Sequence, residues 1–415
     1  MDEEAAHIDE KDNRGKAIMH MDLDTFFVSC ERKDNSALNG KPILIGGTSD
    51  RGVVASCSYE ARRFGIHSAM PMRMARQLCP EAIVLRGNAS VYSKYSDEVT
   101  AIIKETVPLY EKSSVDEFYA DLTGVDKFYG CYKMATELRE RIIHETGLPI
   151  SFGLSVNKTV SKIATGEAKP NNKINVLSGT EKPFLAPLSV KKIPMIGDVT
   201  YRALCNLGVK KIQSIQEMPM EVMEKVFGKN GIVMWKKANG IDNSPVVPYQ
   251  ERKSISTERT FDKDTIDTQK LESLILAMAE NLAFQLRRGN KLSACVTIKI
   301  RYSDFQTFTV QKQIPYSASD HSIIPVALEL FRKLYNRRLL VRLIGVRLSH
   351  LVEGGHQISL FDDANIINLY QAMDKIREKY GDRAIIKAAG MEAKSLGRWN
   401  PFTGEPPPLL PHRRA

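Results

Sequence analysis

The sequence predicts a multidomain α/β protein. Strand-like and helix-like segments alternate through 17–185. A mostly helical stretch follows at 186–240, and the order β-α-β-β-α-β recurs between 254 and 350. At about 100–200 residues per domain, 415 residues suggest two to four domains.

Residues 17–30 (AIMHMDLDTFFVSC) begin as an apolar strand that carries acids at its end. PILIG (42–46) and GVVASC (52–57) are rich in β-branched residues and bounded by glycine, the mark of a strand pair. Helical spacing is expected over 58–66, 71–79, 90–107, 131–146 and 157–168, with strands at PEAIVLRG and ISFGLSV. LYEKSSVDEFYADLTG reads as a hairpin with Asp116 and Glu117 at its turn. Residues 242–253 hold two prolines and no apolar period, so they read as a linker. Beyond it come strand 254–262, helix 268–288, strands 291–301 and 305–313, helix 321–336 and strand 341–350, a split β-α-β sheet with both helices on one face. One more helix is expected at 364–380, before a Pro-rich end.

Hydrophobic residues make up 43% of the chain, enough for ordinary cores. No window approaches the roughly 20 apolar residues of a membrane span, and the acidic, polar N-terminus is unlike a secretory signal, so a cytoplasmic protein is expected. Six widely spaced cysteines suggest neither a disulfide framework nor a zinc site. The net charge of +10 is unevenly spread. Between Glu251 and His350, 17 Lys and Arg stand against 10 Asp and Glu, a surplus of seven, whereas the first twenty residues are net negative. A basic segment remote from the candidate acids reads either as a duplex-binding surface or as a solvated charged face.

Asp22 and Asp24 follow an apolar strand, and Asp116 and Glu117 lie on the hairpin nearly a hundred residues later. Carboxylates on neighbouring strand ends can hold hard divalent cations such as Mg2+, which serve phosphoryl transfer by activating the attacking oxygen and steadying the leaving group. The same acids are also compatible with solvated turns.

Four motifs stand around them in order: MDLDTFFVSCE, ASCSYEARRFGIHSAMPMRMA, SSVDEFYADLTG and GLSVNKTVSKIATGEAKPNN. Together they closely resemble the Y-family, translesion DNA polymerases of the polymerase IV and kappa branch, bacterial type, from about Ala17 to Leu351. The resemblance implies a right-hand polymerase with palm and fingers at 17–185, a small helical thumb at 186–245, a linker at 246–253 and a little finger at 254–352. Residues 1–16 are expected to be a flexible N-terminus, and 353–415 a C-terminal tail.

The resemblance also implies roles. Asp22 and Asp116 match metal-bridging aspartates, Glu117 the glutamate near the primer end, and Leu23 a residue whose main-chain carbonyl is a metal ligand. Two Mg2+ ions are expected. Tyr59, Arg62 and Lys169 match residues that grip the triphosphate of the incoming nucleotide. An arginine fork, an ammonium and a phenol suit that polyanion, and Tyr59 and Arg62 share one helix face. Phe26 and Ser56 are expected to line the nucleotide site. Phe27 matches the steric gate that excludes a 2′-hydroxyl. Phe26 and Phe27 are taken to lie on the strand, pointing to opposite faces. Asp24 is read as supporting the site from behind.

The segment after Lys191 resembles a helix-hairpin-helix, with Met195 where the usual PGIG turn has its first glycine. Gln357-Ile358-Ser359-Leu360-Phe361-Asp362 resembles the peptide by which bacterial polymerases dock on a sliding clamp, with Gln357, Leu360 and Phe361 as anchors. The implied activity is low-fidelity, template-directed synthesis past damaged bases without proofreading, by a monomer acting on primer-template DNA and dNTPs. Two alternatives are a non-catalytic DNA-damage scaffold and a palm-fold nucleotide cyclase. The intact acids argue against the first. The YEAR motif, the basic second region and the clamp-like peptide argue against the second.

Overall fold

The computed structural model describes residues 15–125, 129–248, 251–354, 364–381 and 384–390, which fall into two compact units dividing between 248 and 251. The N-terminal residues 1–14, the clamp-like peptide 357–362 and the Pro-rich end lie outside the described residues.

The first unit is built on β1 (Ile18–Leu23), followed by α1 (Phe26–Asp34), β2 (Ile43–Gly46), β3 (Val54–Cys57), α2 (Tyr59–Arg62), α3 (Met72–Leu78), β4 (Ile83–Leu85), α4 (Ala89–Thr106), β5 (Leu109–Lys112), β6 (Glu117–Asp121), α5 (Cys131–Thr146), β7 (Ile150–Ser155), α6 (Lys158–Ala168) and β8 (Lys173–Asn175). β1 is the middle strand of a mixed sheet ordered β5-β6-β1-β7-β8. Period-two alternation sorts its side chains. Met19, Met21 and Leu23 join the core formed with Val99 and Ile103 of α4 and Leu138 and Ile142 of α5. On the opposite face His20 meets Thr165 of α6 at 2.9 Å. α6 lies so close to β7 that a Cβ on Gly153 would fall 2.3 Å from the Ser161 carbonyl oxygen, so that position accepts no side chain. Strands β3-β2-β4 form a separate small sheet.

Helices α7 (Glu181–Leu185), α8 (Asp198–Asn206), α9 (Ile212–Gln216), α10 (Met220–Phe227) and α11 (Lys229–Ala238) complete the unit around a core containing Leu204, Ile212, Ile215, Met223 and Met234. The chain after them returns to the main sheet. Asn157 donates to the Gly240 carbonyl at 2.7 Å, Thr159 to Asp242 at 2.6 Å, and the Val247 amide to Glu111 at 2.8 Å.

In the second unit β9 (Ser254–Thr265), α12 (Thr268–Arg288), β10 (Lys291–Tyr302), β11 (Thr307–Ser317), α13 (Asp320–Leu334) and β12 (Val341–Glu353) follow in the expected βαββαβ order. The antiparallel sheet runs β11-β10-β12-β9. Val296, Ile298 and Ile300 of β10 and Ile344, Val346 and Leu348 of β12 share one core with Leu271, Ile275 and Met278 of α12 and Ile323, Ala327 and Phe331 of α13. Alternate residues of both strands are therefore covered by the two helices.

One expectation changes. Phe26 and Phe27 are not strand residues: β1 stops at Leu23, Thr25 turns left-handed at φ +42°, and both phenylalanines open α1. The pattern hides this break, because Phe26-Phe27-Val28 after the acids is apolar enough to extend a strand. The helix expected at 364–380 is present. Helix α14 (Ala364–Tyr380) docks on α12: Arg377 meets Glu280 at 2.6 Å, and Arg287 bridges Asp374 at 2.6 Å and Asp320 at 2.8 Å.

Candidate active site

Two strand ends bring the acids together. Asp22, near the end of β1, lies opposite Glu117, the first residue of β6, and the Leu23 amide donates to the Asp116 carbonyl at 3.0 Å. Ser114 fixes the turn before β6. Its hydroxyl donates to Asp116 Oδ1 at 2.6 Å and accepts from the Glu117 amide at 3.0 Å. That serine is one residue the sequence analysis missed.

Lysines meet these carboxylates from α6 and its C-terminal end. Lys169 Nζ lies 2.5 Å from Asp22 Oδ1, and Lys162 Nζ lies 2.6 Å from both oxygens of Glu117. Burial pushes Asp22 up to about 7. Lys169 opposes that shift, and the charges of Asp116 and Glu117 add to it. Asp116 is also raised, chiefly by burial, with Ser114 opposing. Among the described residues no three acid, His or Cys side chains converge as a ready metal cage. Two of the acids are turned onto ammonium groups instead. The donor chemistry still fits a hard cation: three carboxylates where two strand ends meet, two of them raised chiefly by burial, and two already holding a cationic group.

Asp24 is 1% exposed and is a buried strut. It accepts from the Ser151 hydroxyl at 2.9 Å, the Asn171 amide at 2.6 Å and the Tyr59 hydroxyl at 3.4 Å. One carboxylate thus ties the end of β1 to β7, to the turn after α6 and to the start of α2. Tyr59 and Arg62 do share a face of α2, with the guanidinium 5.2 Å from the ring centre. Burial raises the Tyr59 hydroxyl far above the usual phenol range, so it stays a donor.

Phe26 is buried in the core of the main sheet. Phe27 is half-buried and stacks on Tyr92 of α4, with ring centres 4.3 Å apart and planes 15° apart. The helix turn, not strand alternation, sends the two rings in different directions. Ser56 lies buried on β3, beside the exposed Ala55. Lys162 and Tyr92 had no local signal in sequence, since their partners lie 45 and 65 positions away. Met195 stands 62% exposed in the turn before α8, at φ +86°.

The fold is that of the Y-family DNA polymerases. It resembles a Y-family DNA polymerase chimera with a TM-score of 0.71 at 27% identity, covering 81% of this chain and all of that one. It also resembles DinB from Sulfolobus solfataricus, with a TM-score of 0.56 at 26% identity over the same shares. Residues 21–166 match the impB/mucB/samB family and residues 252–360 match that family's C-terminal domain. The chain belongs to the impB/mucB/samB family. Similar curated proteins are called DNA polymerase IV. One from Dehalococcoides mccartyi is 38% identical over 88% of this chain and 95% of its own length, and one from Desulfatibacillum aliphaticivorans is 35% identical over 90% and 96%.

Proposed function

We propose that the chain is a translesion DNA polymerase that extends a primer 3′ end with deoxynucleotides, releasing pyrophosphate. The observation that carries this is the meeting of Asp22, Asp116 and Glu117 on adjoining strand ends, inside a chain 38% identical to a polymerase over most of its length. Asp22, the Leu23 carbonyl, Asp116 and Glu117 would hold two Mg2+ ions, which supply charge neutralisation for the attacking and leaving oxygens when bound.

The chain's own residues do the rest. Lys169, now on Asp22, moves to the triphosphate, with Tyr59 and Arg62 gripping from α2. Phe26 offers its main chain, since its side chain is buried; the first amides of α1 have no intrahelical acceptor and suit an anion. The Phe27 ring occupies the space a 2′-hydroxyl would need. Ser56 and Ala55 leave room beside the nascent pair, which suits distorted templates. The helical segment 186–245, with α8–α11, serves as thumb, with Met195 in its phosphate-contacting turn, and residues 254–352 as a little finger whose basic surplus meets the duplex. A monomer is proposed, tethered to a sliding clamp through Gln357, Leu360 and Phe361.

Primer extension on an undamaged and an abasic template, with and without Mg2+, tests the reading. Templated extension that requires Mg2+ and continues across the lesion supports it. Product formed without template, or cyclic nucleotide made from a nucleoside triphosphate, would refute it. Replacing Gln357, Leu360 and Phe361 together with alanine should leave extension unchanged without clamp and abolish its stimulation by a loaded clamp.

A further inference from the structure

α6 carries a ladder of cations. Lys158, Lys162 and Lys169 are four and seven residues apart, so they lie along one face of the helix and its end. Each takes an acid from a different strand. Lys158 holds Glu111 of β5 at 2.7 Å, Lys162 holds Glu117 of β6 at 2.6 Å, and Lys169 holds Asp22 of β1 at 2.5 Å. The first rung is structural, because Glu111 is half-buried and also accepts the Val247 amide. The third is the nucleotide lysine of the proposed function.

The middle rung has no such assignment. Lys162 is the most exposed of the three lysines, at 33%, and it grips both Glu117 oxygens equally. Those oxygens are the ones a cation near the primer end would need. We infer that Lys162 is a positioning residue that competes with the cation for Glu117, holding that carboxylate aside until metal and substrate displace it. The inference rests on the reading of Glu117 as a metal ligand. Its physical basis is simple exchange. An ammonium and a cation compete for the same two Glu117 oxygens, and an ammonium on a flexible stem yields them reversibly. Cation entry must break the Lys162–Glu117 pair, so the pair lowers cation affinity in the empty site and returns Glu117 to the same place after each release.

The test is Mn2+ binding to the full chain by electron paramagnetic resonance, without DNA or nucleotide. Lys162→Gln should bind Mn2+ about twofold to fivefold more tightly than wild type, the scale of a partly exposed ion pair. Lys162→Arg, which keeps charge and grip, should stay near wild type. In a Glu117→Gln background the Lys162→Gln gain should vanish, because the partner is gone. Thermal melts confirm that each variant is folded. Unchanged or weaker binding by Lys162→Gln, where Glu117→Gln alone weakens binding, overturns the inference and leaves Glu117 a ligand. A gain that persists without Glu117 overturns it too, as a general field effect. Undiminished binding by Glu117→Gln alone would remove the ligand reading itself and the inference with it.

Discussion

The Phe27 ring stacks on Tyr92 with centres 4.3 Å apart, and the Tyr92 hydroxyl donates to Glu31 at 2.6 Å, so α4 and α1 together fix the plane of that ring. A gate works only if it does not swing. Phe27→Ala should raise ribonucleotide over deoxynucleotide insertion by about tenfold to a hundredfold, the range over which a pocket discriminates by fit. Tyr92→Leu should give a smaller rise in the same direction, because the ring remains but loses its support. Ratios of kcat/KM for matched ribo- and deoxynucleotides measure both. An unchanged ratio in Phe27→Ala would make that ring a packing residue only.

Asp22 gives the metal-free protein a pH signature. Its carboxyl is raised from 3.8 to about 7, mainly by burial. Between those values the native state binds more protons than the unfolded state, so stability falls as pH rises through the window. Asp22→Asn should therefore melt higher than wild type at pH 8 without divalent cation, and the difference should shrink by pH 5. Added Mg2+ should stabilise wild type and leave the variant unmoved. Melting curves at the two pH values decide, and a variant less stable at pH 8 would mean that the Lys169 pair outweighs the cost of burying the Asp22 charge.

Met195 occupies a left-handed backbone position at φ +86°, where a Cβ is strained. Met195→Gly should stabilise the protein by about 1 kcal/mol, since glycine's added freedom in the unfolded chain offsets only part of the relief. Denaturant melts measure it. A loss of stability would show that the exposed methionine side chain contributes contacts worth more than the strain.

The docked helix α14 is held to the second unit by buried ion pairs. Arg377 and Glu280 are 2% and 5% exposed, and removing one partner of such a pair leaves a buried charge uncompensated. Ending the chain after Asp362 should destabilise the second unit by about 3–5 kcal/mol. Adding Glu280→Gln should recover part of the loss. Equal stability of the truncated and full chains would mean that α14 adds nothing to the unit.

Much of this was legible in the sequence. Helices 131–146, 268–288 and 364–380 run as their apolar spacing indicates, because each is long and strongly periodic. The hairpin carrying Asp116 and Glu117 was visible in LYEKSSVDEFYADLTG, although Glu117, expected at the turn, already belongs to β6. The break at Thr25 was not, since one left-handed residue leaves no periodic trace. Short β8 (Lys173–Asn175) was missed because three residues carry no pattern, and its pairing with β7 is set by the sheet. The strand-end positions of the acids left solvated turns open, and the resemblance supplied their roles and that of Lys169, but the pairing of each acid with a lysine had no local signal. Lys162–Glu117 and Lys169–Asp22 join residues 45 and 147 positions apart, and only packing of α6 on β1 and β7 brings them together.

The central claim is that Asp116 acts in chemistry and not in folding or DNA capture. Its side chain is half-buried, held by Ser114, at the turn where β1 and β6 meet. Single-turnover primer extension by Asp116→Asn, beside primer-template affinity measured by anisotropy, tests that most directly. The account predicts a rate loss of about a thousandfold or more with primer-template affinity within about threefold of wild type. Extension at near wild-type rate, or loss of DNA binding and rate together, would contradict it.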